Sequence, residues 1–280
     1  MFNKLRISDP DKLMRKQVDS LTNRELQNFF QGFFFKLGID LFGLADLRGI
    51  SCAKDDNGDE FRAAVSFAVP MNPEVMAGID KGPNQYYAEE YGRVNGLIDT
   101  IAASLADRLK NLDFFARALP ASDRTDSVNL KGDFPHKTAA TRAGLGWIGR
   151  NCQLITKSYG PWVRLGTVFL SFPERFEPVT KENPCYRPKL KRPAENAPDG
   201  GIFGEPILKS FCGDCTTCVE ACPANALVGN SWHPGVLREK LLDAQRCDNW
   251  KKEHYYQFHK GHNCGICSAV CPFGKKQLRT

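Results

Sequence analysis

The chain has 280 residues, 42% hydrophobic and 25% charged, with a formal net charge of +6. That is the composition of a globular protein with room for one large or two smaller domains. The N-terminal stretch MFNKLRISDPDKLMRK has no apolar signal core and no twin arginine, and the greasiest run, FFQGFFFKLG, is short and interrupted. A membrane span is therefore excluded and a cytoplasmic protein expected.

In chain order, TNRELQNFFQGFFFKLG opens on a capping box, Thr22 to Glu25, and closes at Gly38, which predicts a helix. LFGLA (41–45) and RAAVSFAV (62–69) predict apolar strands. Residues 88–111 carry Val94, Leu97, Ile98, Ile101, Leu105 and Leu109 as a helical stripe. Shorter strands are expected at 114–119, 152–156 and 163–170, so helices and strands mix in an α/β or α+β domain. Between 136 and 151, HKTAATRAGLGWIGRN places Gly144, Gly146 and Gly149 as G-x-G-x-x-G. A dinucleotide fingerprint follows a strand and opens a helix, whereas the residues before these glycines look helical, so NAD is set aside. Two readings remain open: backbone that lets something approach closely beside Trp147, or a tight helix-to-strand turn with Trp147 in the core. From Thr180 to Pro206 the chain turns proline- and charge-rich, a linker or surface insertion.

The eleven cysteines carry the chemistry. An intracellular chain of this size rarely needs disulfides, so thiols bound to metal are the better expectation. Cys212, Cys215, Cys218 and Cys222 form C-x2-C-x2-C-x3-C before Pro223, and Cys264, Cys267 and Cys271 form C-x2-C-x3-C before Pro272. Zinc usually takes two close pairs. Three thiols at these spacings and a fourth before proline are the bacterial ferredoxin run, in which the fourth cysteine serves the other [4Fe–4S] cluster. Cys247 substitutes for the cysteine missing from the second run. One cluster is thus assigned to Cys212, Cys215, Cys218 and Cys271, the other to Cys222, Cys247, Cys264 and Cys267. Cys52, Cys152 and Cys185 are left to ordinary burial or loop placement. An oxidised four-thiolate cluster carries roughly −2, so two bring the net charge near +2. Residues 236–280 still hold nine Lys or Arg against four Asp or Glu, either a docking face for an acidic partner or nucleic acid, or a solvated surface.

RAGLGWIGRNCQLITKSYGPWVRLGTVFL, then CGDCTTCVEACP, a lone Cys247 and CGICSAVCP, resemble in that order the epoxyqueuosine reductases, from about Leu41 to Cys271. Reductive dehalogenases are a more distant branch. The resemblance implies an α+β, nitroreductase-like cobalamin-binding domain (1–180), a linker or insertion (181–206) and a two-cluster ferredoxin-like module (207–280). In that family electrons pass through two [4Fe–4S] clusters to cobalt, and low-valent cobalt removes the epoxide oxygen of a modified tRNA base. It implies corrin contacts at Gly144, Gly146, Trp147, Gly149 and Asn151, and a reduced flavodoxin or ferredoxin as electron donor. The family's acidic proton donor sits in a D-x-A-P-like stretch. Here that region is KGDFPHKTAA, so Asp133 is the candidate, with a turn residue as its alternative reading and His136 and Tyr159 as rivals. The family usually continues into a helical-repeat domain that helps hold tRNA, whereas this sequence ends nine residues after Cys271. A reductase of small substrate is therefore weighed above a tRNA enzyme. A two-cluster carrier without corrin and a flavin-using reductase are the alternatives.

Overall fold

The computed structural model describes residues 21–51, 58, 60–171 and 204–279. Cys52, Cys185 and most of the expected linker lie outside the described residues.

The capping box forms as expected: the Thr22 hydroxyl accepts from Glu25 N at 3.2 Å and the Glu25 carboxylate accepts from Thr22 N at 3.0 Å. Helix α1 (Asn23–Lys36) runs from it and buries Leu26, Phe29, Phe30, Phe33 and Phe34. Strands β1 (Phe42–Asp46) and β2 (Ala63–Pro70) are followed by α2 (Pro73–Ala77) and the long α3 (Gln85–Lys110). Helix α3 starts three residues before the expected stripe because the Asn84 side chain caps it, accepting from Tyr87 N. Then come β3 (Ala116–Leu119), α4 (His136–Arg142), β4 (Trp147–Ile148), β5 (Leu154–Ile155) and β6 (Val163–Leu170).

Four strands make one antiparallel sheet in the order β1-β2-β6-β3, with Phe42 opposite Phe67 and Val65 opposite Val168. Strand side chains alternate between faces. Leu44, Val65, Phe67, Val69 and Val168 meet α1 and α3. Ala45, Ala64 and Phe169 face the other way, onto Ala139, Ala140 and Ala143 around α4. With helices on both faces of an antiparallel sheet, the domain is α+β. Strands β4 and β5 form a separate hairpin.

From Gly204 the chain returns along the sheet domain: Gly204 N donates to Leu44 O and Ile207 N to Thr141 O. The C-terminal module follows, with short helices α5 (Thr217–Glu220), α7 (Ile266–Ala269) and α8 (Pro272–Lys275) and one longer helix, α6 (Ala244–Tyr255). Ile266 and Ala269 enter the main core beside Ile79 and Tyr87, so the module packs directly on the first domain. No helix among the described residues is long and apolar enough to cross a membrane.

Candidate metal centres and cavity

Charge acts among the cysteines across the two runs. Gly213 takes φ 55°, a left-handed conformation that glycine adopts without strain, and turns the chain between Cys212 and Cys215. Helix α5 then aims Cys218 inward. Charge at Cys271, Cys212 and Cys215 acts on Cys218, and charge at Cys212 and Cys215 acts on Cys271. Cys264, Cys247, Cys222 and, least, Cys218 act on Cys267, and Cys247 and Cys222 act on Cys264. Burial, reinforced by this mutual repulsion, pushes Cys218 and Cys264 up to about 11 and Cys267 further still. Thiols that oppose each other's ionisation need positive charge among them, and thiolate is the soft donor that iron–sulfur clusters take.

None of the nine described cysteines is in a disulfide. Among the described residues no three of His, Cys, Asp or Glu converge closely enough to hold a single metal ion. Four thiols to a group is the ligand number of a cubane, which offers each thiolate its own iron. The residues present therefore fit two clusters.

Cys152 stands apart from both groups. It is buried with Ile148 and Leu241, and the Lys137 ammonium donates to its carbonyl and lies 3.5 Å from its Sγ.

The glycine stretch is a helix-to-strand turn between α4 and β4, and its open faces are filled by the chain itself. A Cβ on Gly146 would strike the Ile155 carbonyl, one on Gly144 would come 2.7 Å from Glu205 O, and one on Gly149 would come 2.8 Å from both Asn151 Oδ1 and Ile155. Trp147 is buried against Ile155, Cys271 and Cys212, with Phe211 and Phe273 edge-on to its ring. Arg150 donates to the carbonyls of Gly229 and Gly213. Asn151 Nδ2 donates to Cys267 O at 3.2 Å, while its Oδ1 accepts from Gln153 N at 3.1 Å. One turn of the first domain thus touches both cysteine groups. The spacing announced close approach, and the approaching groups are Ile155, Asn151 and Glu205 of the chain itself, while the contacts to the cysteine module are made by Trp147, Arg150 and Asn151.

On the other side of this turn lies a cavity of about 250 Å³. Ser122, Asp133, His136, Lys137, Gln153 and Arg164 supply polar lining. Asp133 is exposed there, and Tyr159 does not line it. The Tyr159 hydroxyl donates to Asp40 at 2.8 Å, and partial burial with that carboxylate pushes it up to about 12. The two nitrogens of His136 are both engaged: Nε2 with Pro120 O at 3.0 Å and Nδ1 with Thr167 Oγ1 at 2.8 Å. A carbonyl only accepts, so the neutral ring carries its hydrogen on Nε2 and accepts from Thr167 at Nδ1. Burial, aided by Arg164, depresses its pKa. Of the three candidate donors, Asp133 is the one facing the cavity without such a commitment.

Comparison with known proteins agrees with this picture. Residues 211–274 match the family described as a 4Fe-4S double cluster binding domain. Epoxyqueuosine reductase of Listeria monocytogenes is 29% identical over 174 residues, covering 61% of this chain and 38% of the relative. That of Staphylococcus aureus is 30% identical over 177 residues, covering 58% and 36%. The chain thus spans under two fifths of the length of these curated relatives. In fold it is similar to a reductive dehalogenase whose structure is described as suggesting a mechanism for B12-dependent dehalogenation (TM-score 0.61, 18% identity, 95% of this chain and 35% of that one). It is also similar to an epoxyqueuosine reductase solved with an epoxyqueuosine-modified tRNA stem loop (TM-score 0.53, 18% identity, 91% and 66%). The chain is thus similar to epoxyqueuosine reductases over about three fifths of its length, and its residues 211–274 match a double [4Fe–4S] cluster binding domain.

Proposed function

We propose that the chain is an iron–sulfur reductase in which two [4Fe–4S] clusters supply electrons, one at a time, to a group held at the cavity beside Asp133. The supporting observation is the crossing of the cysteines. On this reading Cys271 joins Cys212, Cys215 and Cys218, Cys222 joins Cys247, Cys264 and Cys267, and Asn151, which bonds Cys267 O, also accepts from Gln153 N, a residue that lines the cavity. Asp133 would give a proton to the reduced substrate, while His136 fixes the cavity wall rather than the reacting atoms. The electron donor would be a small low-potential protein such as a reduced flavodoxin or ferredoxin.

Cobalamin is the candidate for the held group, on the likeness to a B12-dependent dehalogenase and to the reductases above. The fit is incomplete. The cavity is smaller than the roughly 300–1,000 Å³ of pockets that enclose drug-sized ligands, a corrin is larger still, and the glycine faces are occupied. A corrin would therefore have to lie across the cavity mouth, and no step is derived through it. These same observations favour, as a second reading, a two-cluster carrier that binds no corrin. Epoxyqueuosine in tRNA is the nearest named substrate, and a small substrate suits the cavity better.

Anaerobic reconstitution tests the first reading: about eight irons and eight sulfides per chain are expected for two cubanes. Cys247→Ser should lose about half of them, and four irons in the intact chain would overturn the assignment. The visible spectrum with and without added cobalamin separates reductase from carrier. Turnover of epoxyqueuosine-containing tRNA to queuosine would overturn the small-substrate preference.

A further inference from the structure

The two cysteine groups sit in different surroundings. The outer group, Cys212, Cys215, Cys218 and Cys271, is flanked by exposed chain at Phe211, Gly213, Asp214, Thr216 and Thr217, although Cys218 and Cys271 are themselves buried, Cys271 against Trp147. Its nearby lysines, Lys209 and Lys276, are exposed and lie over Phe211 and Phe273, where solvent and salt screen them; the half-buried Arg150 is its one closer cation among the described residues, and its guanidinium is spent on the carbonyls of Gly213 and Gly229. The interior group packs under the first domain. The Tyr87 ring is buried against Gly265, where a Cβ would come within 3.0 Å of it.

Burial alone does not rank the two clusters, because Cys218 and Cys271 of the outer group are buried and the four cysteines of the interior group are half-buried. Reduction adds a negative charge, a low-dielectric site penalises that charge, and the potential of either cluster falls with burial.

The charges around the interior group oppose this. Lys251 follows Cys247 by four residues on α6 and so shares its face. Its Nζ donates to His262 O at 3.2 Å, two residues before Cys264, which places the ammonium between the Cys247 helix and the Cys264 loop. The side chain is 11% exposed. Its carboxylate neighbour, Asp248 at 3.6 Å, is already held by Arg124 at 2.9 Å and Lys252 at 2.7 Å. Three cations against one carboxylate leave about two positive charges, close to the roughly −2 of an oxidised cluster. The charges of Lys251 and Arg124 reach the Cys247 thiol, and that of Asp248 reaches it with the opposite sign.

We propose that Lys251, backed by the Arg124–Asp248–Lys252 ion cluster, holds the reduction potential of the interior cluster above that of the outer one, so that electrons entering at the surface move inward. This rests on the two-cluster reading. In the step itself one electron leaves the reduced outer cluster, which returns to its oxidised state, and reduces the interior cluster. No bond or proton moves, and the outer cluster is re-reduced by an external low-potential electron-transfer protein. From the interior group the Asn151 bridge leads from Cys267 O to Gln153 at the cavity.

The test is a spectroscopic redox titration of the anaerobically reconstituted full chain, without corrin or substrate. Two one-electron couples are expected, and Cys247→Ser identifies the interior one by its loss. Lys251→Met should lower the interior couple by at least tenfold in its reduction equilibrium, about 59 mV for one electron, and leave the outer couple in place. Lys251→Arg should restore it. Arg124→Gln, on the first domain, should shift the same couple down by less, and Asp248→Asn should shift it up. An interior couple unmoved by both Lys251→Met and Arg124→Gln in protein with eight irons, or one already below the outer couple in the unaltered chain, overturns the proposal and leaves the cluster reading standing. If Lys251→Met loses iron, Arg124→Gln and Asp248→Asn decide by the opposite signs of their shifts. Four irons in the unaltered chain would instead remove the reading on which the proposal rests.

Discussion

The sheet domain and the cysteine module are held together by different means. The first buries a continuous hydrocarbon core, with Phe29, Phe30, Phe33 and Phe34 of α1 and Val94, Ile98, Ile101 and Leu105 of α3 packed on one face of the sheet. In the module, α5, α7 and α8 are four residues each, too short to sustain themselves. Its buried apolar side chains are few and small, among them Ala224, Ala226, Leu227, Leu241 and Ala269. A region that cannot bury enough carbon is stabilised by what its thiols bind and by its neighbour. Metal binding here is folding free energy, whereas the sheet domain would fold without it.

The sharpest way to break that contrast is to remove iron with a chelator. Amide exchange protection across 212–271 should collapse, while β2, β6 and the second half of α3 keep theirs. Loss of protection in the strands as well would show one cooperative unit. A smaller effect is expected at the joint. Gly146→Val drives a side chain into the Ile155 carbonyl, and overpacking of this kind costs about 1–3 kcal/mol. Because the turn contacts both regions, urea denaturation should show loss of stability together with weakened cluster retention. Thr22→Ala removes one cap acceptor, should cost about 1 kcal/mol, and should leave iron content untouched. The least effect concerns pH. The folded pKa of His136 lies below its ordinary 6.5, so between those values the unfolded chain binds more protons and stability rises with pH. That contribution is complete above 6.5 and is lost as pH falls through 6.5 toward the folded value. His136→Gln should flatten this part of the curve in a pH series of thermal melts.

Periodicity and spacing were informative where one residue type has one job. The Thr22–Glu25 box, the α3 stripe and the apolar run along β2 each follow from local chemistry, and all three elements lie within three residues of where they are expected. The strands expected at 114–119 and 152–156 shrink to Ala116–Leu119 and Leu154–Ile155, because their flanks carry turns that no alternation reveals. The cavity was not legible. Asp133 and Gln153, far apart in sequence, line the same cavity only in the fold, and His136 is committed by Thr167 and Pro120, partners 31 and 16 residues away. Nor was Lys251 visible as more than a basic residue in a basic stretch. Its importance depends on Arg124, which reaches the same carboxylate from the other domain.

The joint between the two regions is made largely of missing side chains. A Cβ on Gly204 would strike the backbone of Ala143, and one on Gly160 the backbone at Gly274. Shape of this kind cannot be traded for another residue type, as an apolar contact can. It also binds the histories of the two regions. A cluster module borrowed from another protein would arrive with its own backbone path and meet these glycines out of register. Among descendants of this chain, Gly144, Gly160, Gly204 and Gly274 should be inherited as a set, and recombination between the regions should be rare even where each part alone remains intact.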